Sequence, residues 1–288
     1  MSNQLGRGAV VVTGASTGIG EACAVRLERA GYLVFVGVRK EKDAEAVRAK
    51  GSERLRPLML DITDGESIRR ATEEVAGAVG DAGLAGLINN AGVGVGGPLE
   101  FVPLDQLRWQ LEVNVIGQIA VTQAFLELIR KAKGRVIFVG SASGRMSTAF
   151  AGPYSASKFA LESLTDALRG ELRPWGIEVC MIEPGRIATP IWDKTQTMAD
   201  DAIESLPARG KELYGEIVQR VTKFAVGMGK KGIEADHVAR AAEHAMTAPR
   251  PRTRYAVGAD AKAQIWFLNK LPDRWRDGLI SLVLNRVK

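Results

Sequence analysis

The stretch Thr13-Gly14-Ala15-Ser16-Thr17-Gly18-Ile19-Gly20 decides how this sequence folds. It is entered from an uninterrupted apolar run at 9–13 and is followed by an amphipathic segment at 19–30. A strand feeding a helix through a glycine-rich turn is the opening unit of a parallel α/β sheet. The glycines let the backbone turn tightly and come close to a ligand. The free N–H groups of the helix that starts here point at an anion such as a phosphate. The spacing is Gly-xxx-Gly-x-Gly and differs from the GxGxxG dinucleotide fingerprint. Taken alone, the turn also fits a strand-to-helix connection that binds nothing.

The rest of the chain repeats this rhythm. Apolar runs at 33–38, 58–60, 87–88, 135–139 and 178–182, and a weaker one at 254–257, alternate with helical patterns near 41–50, 65–79, 104–131, 154–172 and 235–247. Runs without polar alternation predict strands buried on both faces. Their alternation with helices predicts right-handed βαβ units and a doubly wound, Rossmann-type parallel sheet of about seven strands with helices on both faces. No repeat, low-complexity tract or Pro/Ser-rich linker divides the 288 residues, so 1–288 reads as one α/β domain. The segment 186–234 breaks the rhythm, carrying Trp192 and several Met and Gly residues but no clear strand. It predicts a substrate lid, with a plain surface hairpin as the alternative. Residues 259–288 read as a helical extension.

Composition narrows the function classes. The net charge of +6 comes from 39 basic residues scattered among 33 acidic ones, which predicts solvated helix faces and no nucleic-acid partner. Cys23 and Cys180 belong to no CxxC and read as buried small hydrophobes in a reducing compartment. The first residues are too few and too polar for a signal peptide, and no apolar run reaches membrane-spanning length, so the cytoplasm is the expected compartment. His237 and His244 lack the spacing of metal ligands, so no metal is expected.

Three further features carry chemistry. Tyr154 and Lys158 stand four apart on a helical pattern and share a face. Ser141 lies thirteen residues before the tyrosine, just beyond an apolar run, where a strand's C-terminal end opens on the ligand crevice. Ser143 is its local competitor. Asn114 sits inside a long apolar helix, a poor place for a side chain that competes for backbone bonds.

Together these features resemble the short-chain dehydrogenase/reductase family. Thr13, Gly14, Gly18 and Gly20 match its TGxxxGxG, and Asn89-Asn90-Ala91-Gly92 looks like its NNAG. Asn114, Ser141, Tyr154-x-x-x-Lys158, Pro184-Gly185 and Thr189 follow in order, so the resemblance spans roughly 8–190. It implies a hydride-transferring oxidoreductase in which Tyr154 is the acid/base and Ser141 bonds the substrate oxygen. Asn114 would hold a helix irregularity and a water serving Lys158. The nearby ammonium, together with an oxidised nicotinamide, is expected to lower the phenol's ordinary pKa of ~10.

The resemblance also implies the cofactor contacts. Gly14, Ser16, Thr17, Gly18, Ile19 and Gly20 would hold the phosphates. Asp61 and Ile62 would meet the adenine. Asn89, with Ala91 and Gly92, would hold neighbouring backbone and contact ribose. Pro184 and Gly185 end the sixth strand beside the cofactor; the Ile187 backbone would meet the nicotinamide carboxamide and Thr189 the carboxamide or phosphate, with Tyr154 and Lys158 completing the set. NAD-preferring members end the second strand with an acid; here Val38 takes that place and Arg39 follows. A guanidinium can pair with a 2′-phosphate, so NADP(H) is expected, with NAD(H) the alternative. Thr17 supplies no second cation. Arg186 has no assigned role beyond lid or surface.

The substrate pocket is expected along 93–98, 142–150 and the lid, where Val93, Val95, Ala149, Phe150 and Trp192 are apolar or small. The tail, with Ala261-Lys262-Ala263-Gln264-Ile265-Trp266-Phe267-Leu268, is similar to the retinol and hydroxysteroid dehydrogenase branch. That implies a steroid-, retinoid- or lipid-like small-molecule substrate; a small polar ketone or sugar is the alternative, as is a non-catalytic NADP-binding sensor. The tail mixes aromatics with Lys262, Lys270, Arg274, Arg276, Arg286 and Lys288. Packing on the domain or on a partner subunit is favoured over peripheral membrane contact. Helices 104–131 and 154–172 form the common dimer face of relatives, implying a homodimer or homotetramer.

Overall fold

The computed structural model describes residues 6–286, apart from the side chains at 280 and 283–286. Expectations that concern the first five residues, the Arg286 side chain or Lys288 lie outside the described residues. Seven strands form one sheet in the order β3-β2-β1-β4-β5-β6-β9. They are β1 (Ala9–Val12), β2 (Leu33–Val38), β3 (Leu55–Met59), β4 (Gly86–Asn89), β5 (Arg135–Val139), β6 (Glu178–Pro184) and β9 (Arg254–Val257), and every pairing is parallel.

Alternate residues of each strand serve two cores. Val10, Val12, Val34 and Val36 pack under α1 (Gly18–Arg29), α2 (Glu41–Arg48) and α10 (Asp236–Thr247). Ala9, Val11, Leu33 and Phe35 pack under α3 (Gly65–Val79), α5 (Gly117–Ala132) and α6 (Gly152–Leu172). Burial on both faces is why these strands are apolar at every position. Arg26 of α1 clamps α10 through Asp236 and Glu243, each at 2.6 Å. Both cysteines are buried in the first core, where burial pushes the Cys23 thiol up to about 12.

Three features differ from the expected pattern. β3 begins at Leu55, three residues early, because it is an edge strand: Arg56 and Pro57 interrupt its apolar run, and an edge tolerates a proline. The helix expected over 104–131 is α4 (Leu104–Leu111), a π turn at Glu112–Ile116 and α5. Asn114 sits in that π turn, which is the irregularity the family resemblance implies. Segment 186–234 does contain strands: β7 (Ile187–Ala188) and β8 (Ile233–Glu234) pair in parallel. They pin the base of a helical hairpin made of α7 (Ile191–Ser205), α8 (Ala208–Gly210), a π turn at Lys211–Gly215 and α9 (Glu216–Lys230). Two-residue strands carry no period that a sequence could display.

Beyond β9 come α11 (Ala259–Trp266), a 3₁₀ turn at Leu268–Lys270 and α12 (Asp273–Arg286). Gly185 leaves room for the Asp260 carboxylate of α11, which also receives the Arg186 N–H at 2.8 Å and the Arg186 guanidinium at 3.2 Å. Arg186 therefore fastens the tail to the end of β6 and is not a loose surface charge.

Candidate active site

A cleft of about 600 Å³ opens at the carboxyl ends of the strands, where β1 and β4 diverge. This reversal of strand order is where doubly wound sheets hold ligands. Its floor is the loop after β1. Gly14 has φ +59°, and a Cβ there would lie 2.7 Å from Ala91 Cα. Gly18 has φ +65° and faces Thr189. Ser16, Thr17, Gly18 and Ile19 all line the cleft, and the Thr17 side chain at the start of α1 makes no capping hydrogen bond. The loop is thus a glycine-formed cradle ending on open helix donors, a fit for a dinucleotide's phosphates. Gly20 lies just below it, where a Cβ would fall 2.5 Å from Asn90 Nδ2 and 2.6 Å from Gly14 O.

The loop after β4 is tied to this cradle. Buried Thr13 accepts from Asn90 N and Ala91 N at 3.0 Å each, and Asn90 Nδ2 donates to Thr13 O at 3.0 Å and Gly14 O at 2.9 Å. Asn89, the asparagine singled out from sequence, has a wholly buried side chain that donates to Thr122 Oγ1 of α5 at 2.8 Å. Its side chain serves the helix layer, and the backbone-holding role expected of it belongs to Asn90, which lines the cleft with Ala91 and Gly92. Asn89 ends β4 facing the helix layer, and Asn90, the next residue, turns to the opposite side as the chain leaves the strand.

A polar stripe holds the same loop from the other side. Gln110, Asn114 and Gln118 are all fully buried, four residues apart on α4, the π turn and α5. Gln110 accepts from Val95 N. Asn114 accepts from Val93 N and donates to Val93 O, both at 2.8 Å, and donates to Ser157 Oγ at 3.0 Å. Gln118 donates to Ala91 O at 2.8 Å. Sequence reasoning found only Asn114; the four-residue spacing of three buried-type amides was the signal available for the other two.

Tyr154 and Lys158 occupy successive turns of α6 and both line the cleft. Lys158 Nζ donates to Val139 O at 3.0 Å and lies 5.8 Å from the centre of the Tyr154 ring. Ser141 caps the turn after β5, where its Oγ accepts from Ser143 N at 3.1 Å, and its side chain stands next to that of Tyr154, just behind the cleft lining. The serine, tyrosine and lysine thus converge, with Asn114 beside them across Gly92: a Cβ on Gly92 would be 3.3 Å from Asn114 Oδ1 and 3.8 Å from Lys158 Nζ. The lysine by itself does not lower the phenol. Burial pushes Tyr154 above its ordinary value, and the neighbouring Ser141 side chain pulls it partly back. Burial also pushes Lys158 down to about 8, against the pull of the Glu162 carboxylate. Desolvation outweighs the cation in the chain by itself.

Beneath this site lies a charged cluster that the sequence did not announce. Glu162 and Glu183 are both buried and close enough to share a hydrogen bond. Arg145, just after the serine turn, reaches them at 3.6 and 3.7 Å, and Arg254 of β9 at 3.1 and 3.8 Å. Burial and the neighbouring Glu162 push Glu183 up to about 7.

At the other end of the cleft, β2 finishes with buried Val38 and exposed Arg39 and Lys40. Among the described residues no carboxylate is ion-paired with either cation, although Asp43 also lines this end. Asp61 lines the cleft but accepts from Thr63 N at 2.9 Å and Thr63 Oγ1 at 2.7 Å; Ile62 lies beside it. Thr189 lines the cleft, whereas Pro184, Gly185 and Ile187 lie behind its wall. Ile187 accepts from Trp192 Nε1 at 2.7 Å through its carbonyl. From the hairpin, Ile191, Lys194, Thr195 and Met198 enter the lining, as does Trp109 of α4. Lys40, Lys194 and Trp109 were not singled out from sequence. His244 bonds the Tyr255 hydroxyl at 2.9 Å, well outside the cleft lining.

Known proteins place this geometry. The short chain dehydrogenase family matches residues 8–200. An NADPH-dependent 3-dehydrocapnine reductase of Ornithobacterium rhinotracheale is 38% identical over 96% of this chain and 97% of its own. A 17-beta-hydroxysteroid dehydrogenase (type 6) of Bos taurus and a retinol dehydrogenase (16) of Mus musculus are each 38% identical over 94% of this chain and 87% of theirs. A short chain dehydrogenase of Burkholderia cenocepacia, solved in complex with NADP, is 26% identical with a TM-score of 0.70, covering 96% of this chain and 97% of its own. Over the sheet, the glycine cradle and the tyrosine–lysine helix alike, this chain belongs to the short-chain dehydrogenase/reductase family of oxidoreductases acting on CH–OH groups.

Proposed function

We propose that this enzyme uses NADP(H) to interconvert a hydrophobic ketone or aldehyde and its alcohol. The observation that carries the reading is the convergence of Tyr154 and Lys158 on one cleft that continues into the glycine cradle, with Ser141 beside the phenol just behind the lining. The nicotinamide, when bound, supplies or accepts the hydride. Tyr154 then delivers its hydroxyl proton to the carbonyl oxygen, or takes it from the alcohol in reverse. Ser141 holds that oxygen by a hydrogen bond. Lys158, fixed by Val139 O, keeps a cation beside the phenol and favours its ionised form as the proton leaves. Asn114 positions Gly92 and Val93, against which Lys158 lies.

Arg39 and Lys40 support NADP(H), because two cations unpaired with carboxylates suit a 2′-phosphate. The relative named as NADPH-dependent and the neighbour solved with NADP point the same way. Val93, Trp109, Ile191 and Met198 give the cleft apolar walls, which supports a hydrophobic substrate, as do the relatives named for steroid and retinol. Ile191, Lys194 and Met198 lie on α7, which supports 186–234 as a lid within a single domain. Exposed Ile116, Phe159 and Leu164, beside or on α5 and α6, support a homodimer through that face. Among the described residues no helix is long and apolar enough to cross a membrane.

The test is NADPH consumption, followed by its absorbance, across a panel of steroid, retinoid, long-chain and small polar ketones. Turnover lost by at least two orders of magnitude in Tyr154→Phe, with NADPH still binding, is the expected result. A panel with no turnover by the parent, or equal turnover by the variant, overturns the reading.

A further inference from the structure

The sequence favours a tail packed on the domain or on a partner subunit. The structure removes the first option for its largest apolar side chains. Trp275, Leu279 and Leu282 stand at i, i+4 and i+7, one face of α12, and all three are exposed, Trp275 by 71%. Trp266 and Phe267, at the end of α11, are 59% and 73% exposed. Among the described residues no element packs extensively along α12. So much aromatic and aliphatic surface on one short segment marks an interaction site.

Charge decides what covers it. The segment 259–288 holds six basic residues and three acidic ones. Asp260 is tied to Arg186 and Asp273 to Arg276. Among the described residues Lys262, Lys270 and Arg274 have no ion-paired carboxylate, and Lys270 Nζ sits 6.0 Å over the Trp266 ring. A self-complementary contact between two copies would bring these like charges together, which costs affinity. An anionic phospholipid surface instead satisfies both features, taking tryptophans at headgroup depth and cations at the phosphates.

The patch also adjoins the catalytic turn. Gln264 of α11 donates to Ala142 O at 2.9 Å, one residue past Ser141, and Trp266 and Phe267 follow at once. We propose that α11 and α12 dock this enzyme on an anionic phospholipid bilayer, lying in the plane of the interface and holding the serine side of the cleft near the lipid. An apolar ketone dissolved in that bilayer then reaches the site without crossing bulk water. The substrate clause rests on the reductase reading; the docking does not.

The experiment uses the full chain and sedimentation with vesicles of phosphatidylcholine alone or with one-third phosphatidylglycerol. The expected result is binding to the anionic vesicles on the order of tenfold tighter than to the neutral ones, weakened by high salt. It should be lost in Trp275→Ser/Leu279→Ser/Leu282→Ser, whose turnover of a water-soluble ketone is unchanged. Lys262→Gln/Lys270→Gln/Arg274→Gln should keep weak binding and lose the lipid-charge preference. The proposal is overturned if the parent stays in the supernatant with both vesicles. It is equally overturned if the triple serine variant binds like the parent or converts a dimer to a monomer, which would assign the face to a second copy of the chain. Vesicle binding without any turnover would spare the docking and sink only the reductase reading.

Discussion

Replacing Glu183 by glutamine should make the protein more stable above neutral pH, although it removes a carboxylate that faces two arginines. The side chain is 2% exposed, and its Oε1 has no hydrogen-bond partner among the described residues. Arg145 and Arg254 stand at 3.7 and 3.8 Å, beyond hydrogen-bond reach, while Glu162 is its close neighbour. Burial and that second carboxylate hold Glu183 up at about 7, against an ordinary 4.5. Between those two pH values the folded chain keeps a proton that the unfolded chain has released. Stability from this group is therefore complete below 4.5 and is lost as the pH rises through about 7. At ~1.4 kcal/mol per pH unit the loss has a ceiling of roughly 3.5 kcal/mol, shared with Glu162. Glutamine has the same shape and no charge to bury. Urea unfolding of parent and variant from pH 5 to pH 8 isolates the group by difference. The variant should match or trail the parent at pH 5 and exceed it by about 1–3 kcal/mol at pH 8. A variant weaker than the parent at pH 8, with an equally steep pH dependence, would refute the reasoning and mean that Glu183 is ionised and properly paired.

Three further outcomes follow from the site. Arg39→Asp should lower kcat/KM with NADPH by about 10- to 100-fold, the worth of a charge-assisted phosphate contact, and raise it with NADH; an unchanged cofactor preference counts against Arg39 as the selector. Glu162→Gln removes the carboxylate that holds the Lys158 ammonium charged, so Lys158, already at about 8, loses its proton at lower pH. The alkaline limb of the kcat/KM profile should move down accordingly, and a folded variant with an unmoved limb would deny Glu162 this positioning role. Gly229→Ala drives a methyl into the Trp192 indole, which is itself fixed by its bond to Ile187 O. An overpacking cost of about 1–3 kcal/mol should loosen the hairpin, seen as faster proteolysis within 186–234 and a raised ketone KM, with the sheet's melting little changed; resistance equal to the parent's would mean that the indole moves aside freely.

The parts legible in the sequence are those where one local cause acts over several consecutive residues. The strands of the sheet show as apolar runs because both faces are covered, and the glycine cradle shows because φ values of +59° and +65° exclude most other residues. Tyr154, Lys158 and Ser141 show through spacing, since a helix turn and a strand end fix where each points. What stayed hidden depends on partners distant in the chain. Nothing local distinguishes Asn89 from Asn90; only the layer each faces does, and Thr122 and Thr13, which receive them, lie 33 and 77 residues away. The same holds for Glu162 and Glu183. Each reads as an ordinary polar residue, one within an amphipathic helix and one at a strand end, until the sheet brings them together with Arg254.

That difference bears on how the site works. The residues visible from sequence are those that touch the reacting groups or the cradle. The hidden ones join the loop after β1 to the loop after β4 through Asn90, the loop after β4 to α4 and α5 through Gln110 and Gln118, and the turn after β5 to α6 through the Glu162–Glu183–Arg145–Arg254 cluster. Catalysis needs the phenol, the ammonium and the serine hydroxyl held within a fraction of an ångström of one another. Three loops can meet that demand only if they are tied to their surroundings, and each is: the Thr13 and Gly14 carbonyls through Asn90, residues 91–95 by backbone bonds to the amide stripe, and the serine turn through the Arg145–Glu162 ion pair. Disrupting a hidden residue should therefore lower kcat with NADPH affinity nearly intact when it serves the serine turn, and should weaken NADPH binding first when it serves the glycine cradle. An Asn90→Ala variant whose NADPH affinity equals the parent's, with only kcat reduced, would contradict that division of labour.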